Sequence, residues 1–214
     1  MMMKKKDLRV TKIRQILKSA YPDVKTQLTH HNAFELLVAT ILSAQCTDRQ
    51  VNAVTPELFK QLKTPQNFAS VSQKKLESLI HSTGFYHNKA KNIIKCANAI
   101  IAHHDGKVPD TLEELINLPG VGRKTANVVL GAVFGKPGIV VDTHVARISQ
   151  RLGLTVQKDP VKIEFDLMKV IPEVEWNDFS LWLIYLGRSI CFARKPDCPH
   201  CMLNKVCEYP KKQG

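Results

Sequence analysis

Four of the chain's six cysteines crowd its C-terminal tail: Cys191, Cys198, Cys201 and Cys207, spaced C-x6-C-x2-C-x5-C. Thiolates set this closely ligate metal, either a tetrahedral zinc ion or an iron–sulfur cube. A disulfide framework suits small secreted domains, and the basic N-terminus Met1–Lys6 is followed by no apolar stretch of a secretion signal. Cys46 and Cys96 stand apart and read as buried or partly buried thiols without chemistry of their own.

A second constellation is Leu118-Pro119-Gly120-Val121-Gly122-Arg123-Lys124-Thr125-Ala126. Gly120 and Gly122 permit positive φ and leave the backbone bare. Their amides, with those opening the next helix, can converge on a phosphate oxygen, and Arg123 adds charge beside them. A phosphate contact positions a duplex without reading its sequence. Lys124 falls in the first helical turn, where the helix dipole already supplies positive charge. That field favours the neutral amine a nucleophile needs. The plainer alternative is a second phosphate-binding lysine. In Val141-Asp142-Thr143-His144, Asp142 is placed to cap a helix. Its carboxylate could also stabilise positive charge developing on a deoxyribose, or help activate an amine. His144 could add a hydrogen bond nearby.

The elements that must position these groups are helices, since no run alternates with period two. An apolar stripe through Phe34, Leu37 and Ile41 predicts a helix to about Ser43. Thr47 with Gln50 forms a capping box for the next, leaving Gln45 and Cys46 in the joint. A helix over Gln73–Ser82 stops at Gly84, and Asn88 can cap the one carrying Ile93, Ala97 and Ile101. Asp110 or Thr111 caps a short helix before the glycine hairpin. Further helices run over Arg123–Phe134, from Asp142 through Leu152, and over Val161–Val170 and Asn177–Ile190. The tail beyond Cys191 is too rich in Pro, Cys and charge for helix and needs a cross-link.

Thirty-one lysines and arginines against nineteen acids give a net charge of +12, which points to a polyanionic partner. Apolar residues make up 44%, enough for a folded core. No stretch reaches the ~18 apolar residues of a membrane helix, so a soluble intracellular protein is expected.

Leu42-Ser43-Ala44-Gln45-Cys46-Thr47-Asp48, Leu118–Leu130, Val141–His144 and the cysteine quartet together resemble the bacterial endonuclease III family, in the family's order and over almost the whole chain. The resemblance implies an all-α fold of two helical domains flanking a DNA-binding cleft. A six-helix barrel with the helix–hairpin–helix would span residues 25–136. Residues 1–24 and 137–214 would form a discontinuous domain around a C-terminal 4Fe-4S cluster loop. It further implies a base-excision-repair glycosylase for oxidised pyrimidines with AP-lyase activity. Lys124 would attack C1′ of a flipped nucleotide, form a Schiff base and cut the strand by β-elimination, with Asp142 as the second essential residue.

The quartet would hold a 4Fe-4S cluster, and the loop it shapes would offer Arg194 and Lys195 to phosphates. Gln45 would fill the gap left by the extruded nucleotide. Phe85 stands where the family commonly has leucine. It reads either as a wedge between base steps or as a ring packed back on its own helix. The expected partner is double-stranded DNA bearing oxidised pyrimidines or abasic sites, met by a monomer in the bacterial cytoplasm, with no membrane. A mismatch adenine glycosylase of the same superfamily is the nearest rival, but it uses a glutamate within the stretch matching Leu42–Gln45, where this chain has none. A non-catalytic DNA-binding module with a metal-stapled tail is the rival of another class.

Overall fold

The structure, a computed structural model, describes residues 2–209, with side chains from Asp7 onward. Its α-helices are α1 (Met2–Ala20), α2 (Ala33–Leu42), α3 (Asp48–Gln61), α4 (Pro65–Ser70), α5 (Gln73–Ile80), α6 (Tyr86–His103), α7 (Leu112–Ile116), α8 (Arg123–Phe134), α9 (Thr143–Arg151), α10 (Pro160–Met168) and α11 (Trp176–Ser189). Short 3-10 turns occupy His81–Thr83 and Glu173–Glu175, and no strand occurs among the described residues. The all-α expectation holds.

Local chemistry starts most of these helices. Asn32, Thr47, Thr64, Ser72, Thr111 and Asp159 each accept a hydrogen bond from a first-turn amide. Each such cap contributes about 1 kcal/mol. Thr47 accepts from the Gln50 amide, as the capping box requires. Of the two candidate caps for α7, Thr111 serves, while Asp110 pairs with Lys136 at 2.9 Å.

One expected start is corrected. Asn88 does not cap α6, which begins two residues earlier behind Phe85, a left-handed residue offering no side-chain cap. The helix predicted over Gln73–Ser82 tightens into the 3-10 turn after Ile80. Six-residue α4 is too short to leave a periodic signature.

The chain divides into two compact units, residues 26–136 and a discontinuous one joining the residues up to Lys25 with those from Pro137 onward. In the first, α2 is buried along nearly its whole length, from Phe34 to Leu42, as a helix apolar on all sides must be. Helices α3, α6 and α8 pack on it, α4 and α5 pack on α6, and α7 packs on α8. Phe34 and Phe68 meet edge to face at 5.3 Å inside this core.

In the second unit α11 packs against α1 and α9 around Ile13, Leu17, Ile148, Phe179 and Leu183. The Trp182 indole donates to the Tyr21 carbonyl at 3.0 Å, and the Tyr185 hydroxyl donates to that of Lys25 at 3.2 Å. These bonds tie the chain's beginning to its end. No helix is long and apolar enough to cross a membrane.

Candidate active site and cysteine centre

The turn between α7 and α8 depends on Gly120. Its φ is +79°, and a Cβ there would stand 2.8 Å from the Cβ of Asn92, so a side chain is excluded on two counts. Val121 donates its amide to the Leu118 carbonyl at 3.1 Å and buries its side chain, which holds the turn closed. Gly122 then occupies the N-cap of α8 and brings no side chain to satisfy the helix's first amides. Amides at a helix start lack intrahelical acceptors, which is how such termini bind anions. Arg123 is half-buried at the first helical position. Lys124 follows, exposed, and among the described residues its Nζ makes no hydrogen bond or ion pair. A cation with no partner, set at the positive end of a helix, gains nothing for folding.

Asp142 is positioned from both sides of the sequence. The stretch entering it is neither helix nor strand, and its backbone is fastened to α11: Gly138 donates to Asn177 Oδ1 at 3.1 Å and Val140 to Ser180 Oγ at 2.9 Å. Asp142 then caps α9, with Oδ1 accepting from the His144 and Val145 amides at 2.8 Å each. Oδ2 accepts no hydrogen bond among the described residues. One carboxylate oxygen therefore serves the fold and the other is available for chemistry.

His144 is half-buried against α11, where Gly187 makes the approach possible: a Cβ there would lie 2.5 Å from His144 Nδ1. Arg147 Nη2 lies 3.1 Å from that nitrogen. Burial lowers the His144 pKa, Arg147 and Arg188 lower it further, and the Asp142 charge and a hydrogen bond to the Gly187 backbone oppose this.

The four tail cysteines line one cavity, together with Arg151, Ile190, Pro196, Asp197, Asn204 and Tyr209. Burial pushes the Cys201 and Cys207 thiols up, and the neighbouring cysteines push the same way. Thiolates gathered here repel one another unless a cation joins them, so the donor set fits a metal group. They stand around the cavity walls; among the described residues no three His, Cys, Asp or Glu close on a point that would hold one ion.

Two residues the sequence did not single out organise this centre from α9. Arg151 donates to Cys191 Sγ at 3.2 Å and to the carbonyls of Phe192 and Ala193 at 2.7 and 2.9 Å. Arg147 donates to the Cys191 carbonyl at 2.9 Å. Their i, i+4 spacing puts both on one helical face, a visible signal, but their partners lie some forty residues onward. The loop so pinned leaves Arg194 and Lys195 exposed.

In the other unit, Gln45 and Phe85 are both exposed, and both hold left-handed backbone, with φ of 53° and 51°. That conformation costs a non-glycine residue about 1–2 kcal/mol, and Asp105 and Lys195 hold it as well. The Phe85 ring is 63% exposed, so it does not pack back on its helix. Cys96 is buried and its thiol pushed up to about 12 by that burial, consistent with an inert core thiol.

Residues 38–173 match the model of the HhH-GPD superfamily of base excision DNA repair proteins. The chain is 52% identical over 206 residues to the endonuclease III of Synechocystis sp., covering 96% of this chain and 94% of that one. It is 46% identical to the Bacillus subtilis endonuclease III, with 90% and 89% covered. A solved endonuclease III–DNA covalent intermediate superposes with a TM-score of 0.90 at 45% identity, covering 95% of this chain and 98% of that one. Exposed lysine, capping aspartate, glycine hairpin and cysteine quartet thus lie on a fold shared nearly end to end with these relatives, and the chain belongs to the endonuclease III family of the HhH-GPD superfamily.

Proposed function

We propose that the chain removes oxidised pyrimidines from duplex DNA and cuts the strand at the resulting abasic site, with Lys124 as nucleophile. The observation that carries this reading is the amine itself, exposed and without a hydrogen-bond or ion-pair partner among the described residues, one residue inside a helix whose N-cap brings no side chain. A relative at 45% identity that was caught covalently on DNA supports it.

In this reading the amides of Gly120 and Gly122 and those opening α8 hold a backbone phosphate while the damaged nucleotide leaves the stack. Extrusion costs a few kcal/mol, least for a base that pairs poorly. The neutral Nζ attacks C1′, the C1′–N glycosidic bond breaks, and its electron pair departs with the base. Asp142 Oδ2 stabilises the positive charge that grows on the sugar as this bond lengthens. The attached amine then loses a proton and the sugar ring opens to a Schiff base. Removal of a C2′ proton expels the 3′ phosphate, which breaks the strand. Gln45 and Phe85 enter the duplex, and Arg194 and Lys195 contact phosphates. The chain acts as a monomer in the bacterial cytoplasm.

Cys191, Cys198, Cys201 and Cys207 hold a 4Fe-4S cluster, which when bound supplies four metal–thiolate bonds that cross-link the tail. Thiols spread around a cavity suit a cube better than a single ion. About four iron atoms per chain are expected in the purified protein; a colourless protein with stoichiometric zinc would reverse the assignment.

Borohydride trapping on three duplexes tests the function. A covalent adduct should form on thymine glycol and on an abasic site, and none on undamaged DNA. Binding without any adduct would make the chain a DNA-binding module. Excision of adenine without strand cleavage would make it a mismatch glycosylase.

A further inference from the structure

Lys89 reads in the sequence as one more lysine on a basic chain. The structure buries it to 5% exposure in the first turn of α6. Its Nζ donates to two backbone carbonyls, Leu42 O and Thr83 O, each at 2.8 Å. Both acceptors close an element. Leu42 is the last residue of α2, where carbonyls run out of helical partners, and Thr83 ends the 3-10 turn. Burial pulls the Lys89 ammonium below the ordinary lysine range, with the Cys46 thiol opposing. The negative end of α2 offsets part of the cost of burying the charge.

What lies beyond those carbonyls gives the contact its meaning. Three residues after Leu42 comes Gln45, and two after Thr83 comes Phe85, the exposed left-handed pair. Such backbone persists only where its surroundings hold it. Here Lys89 holds both sides at once, from a position four residues after Phe85. A second tie runs in parallel, from Gln50 Nε2 at the start of α3 to Ser82 Oγ at 2.9 Å. The Gln45 joint and the Phe85 turn are thus fastened to each other before any DNA arrives, so their ordering cost falls on folding and not on binding.

We propose that Lys89 is a positioning residue that locks the Gln45 joint and the Phe85 turn into one two-pronged element, so that both side chains enter the duplex together as the damaged nucleotide leaves it. This rests on the reading of Gln45 and Phe85 as the duplex-entering pair. A wedge that unstacks a step gains little unless the vacated space is filled in the same motion. Fixed spacing between the prongs couples the two events.

The test compares Lys89→Met, Gln45→Ala, Phe85→Ala and the double variant Lys89→Met/Phe85→Ala with wild type. Single-turnover excision is measured on a thymine glycol duplex, alongside the fluorescence rise of 2-aminopurine placed next to the lesion. Cleavage of a single-stranded abasic oligonucleotide, which needs no extrusion, reports the correctly folded fraction. Lys89→Met is expected to lose about tenfold or more in duplex excision and most of the fluorescence rise, while single-stranded cleavage stays within about twofold. The double variant should lose clearly less than the product of the two single losses, since part of the effect of Lys89 runs through the wedge.

Additive losses, or an equal loss on single-stranded substrate, would make Lys89 a general stability residue and overturn the inference. So would wild-type behaviour of Lys89→Met where the Gln45 or Phe85 variant fails. Normal excision by both Gln45→Ala and Phe85→Ala would instead remove the underlying reading.

Discussion

Replacing Lys124 with glutamine is expected to abolish the borohydride-trapped adduct and to lower base excision by about a thousandfold or more, the scale on which losing a nucleophile acts. Folding should not change. The side chain is exposed and unpartnered among the described residues, so a polar replacement stays within about 0.5 kcal/mol. Lysine and glutamine have similar helix propensity, and removing a cation from a helix start is mildly favourable.

The same variant separates two roles for this lysine. A residue that only binds phosphate would, on neutralisation, weaken affinity for every duplex alike and reduce the salt slope of binding by about one, leaving the adduct intact. A nucleophile gives the opposite pattern, with affinity and salt slope nearly kept and the adduct gone. Equilibrium binding at several salt concentrations beside trapping on an abasic duplex reads both. Undiminished trapping by Lys124→Gln would remove this lysine from the mechanism.

Features written within one or two turns of chain were legible in the sequence. Thr47 and Gln50 are three residues apart and form the box their types predict; Asp142 caps α9 as its position before Thr143–Arg151 implies; Gly120 holds the positive φ the hairpin needs. Features set by distant partners were not. The true start of α6 at Tyr86 was hidden because Phe85 takes a left-handed backbone that no local preference favours and that Lys89, bonded across to Leu42 and Thr83, helps to hold. Lys89 itself carries no sequence mark, since burial of a lysine depends on which carbonyls surround it. The pairing of Trp182 with Tyr21 joins residues 161 positions apart. In the candidate site the cysteines were read from spacing alone. The arginines that fasten their loop were missed because each needs a partner supplied by the fold.

Asp142 has two functions to separate, and substitution by asparagine or by alanine separates them. Asparagine caps a helix about as well as aspartate. In Asp142→Asn the amide oxygen can still accept from the His144 and Val145 amides, now at Oδ1. Its Tm should therefore stay close to wild type. The negative charge is lost, and with it the response of Oδ2 to charge growing on the sugar. Excision is expected to fall by about 10²–10³-fold, the range seen when one preorganised electrostatic group is removed. Asp142→Ala loses the cap as well. It should show the same catalytic deficit together with about 1 kcal/mol of destabilisation, a Tm drop of about 2–4 °C for a chain of this size. Thermal unfolding and single-turnover excision on the same two preparations decide the matter. If the asparagine variant excises at the wild-type rate and only the alanine variant fails, Asp142 is a cap and nothing more, and the charge facing the sugar must come from another residue.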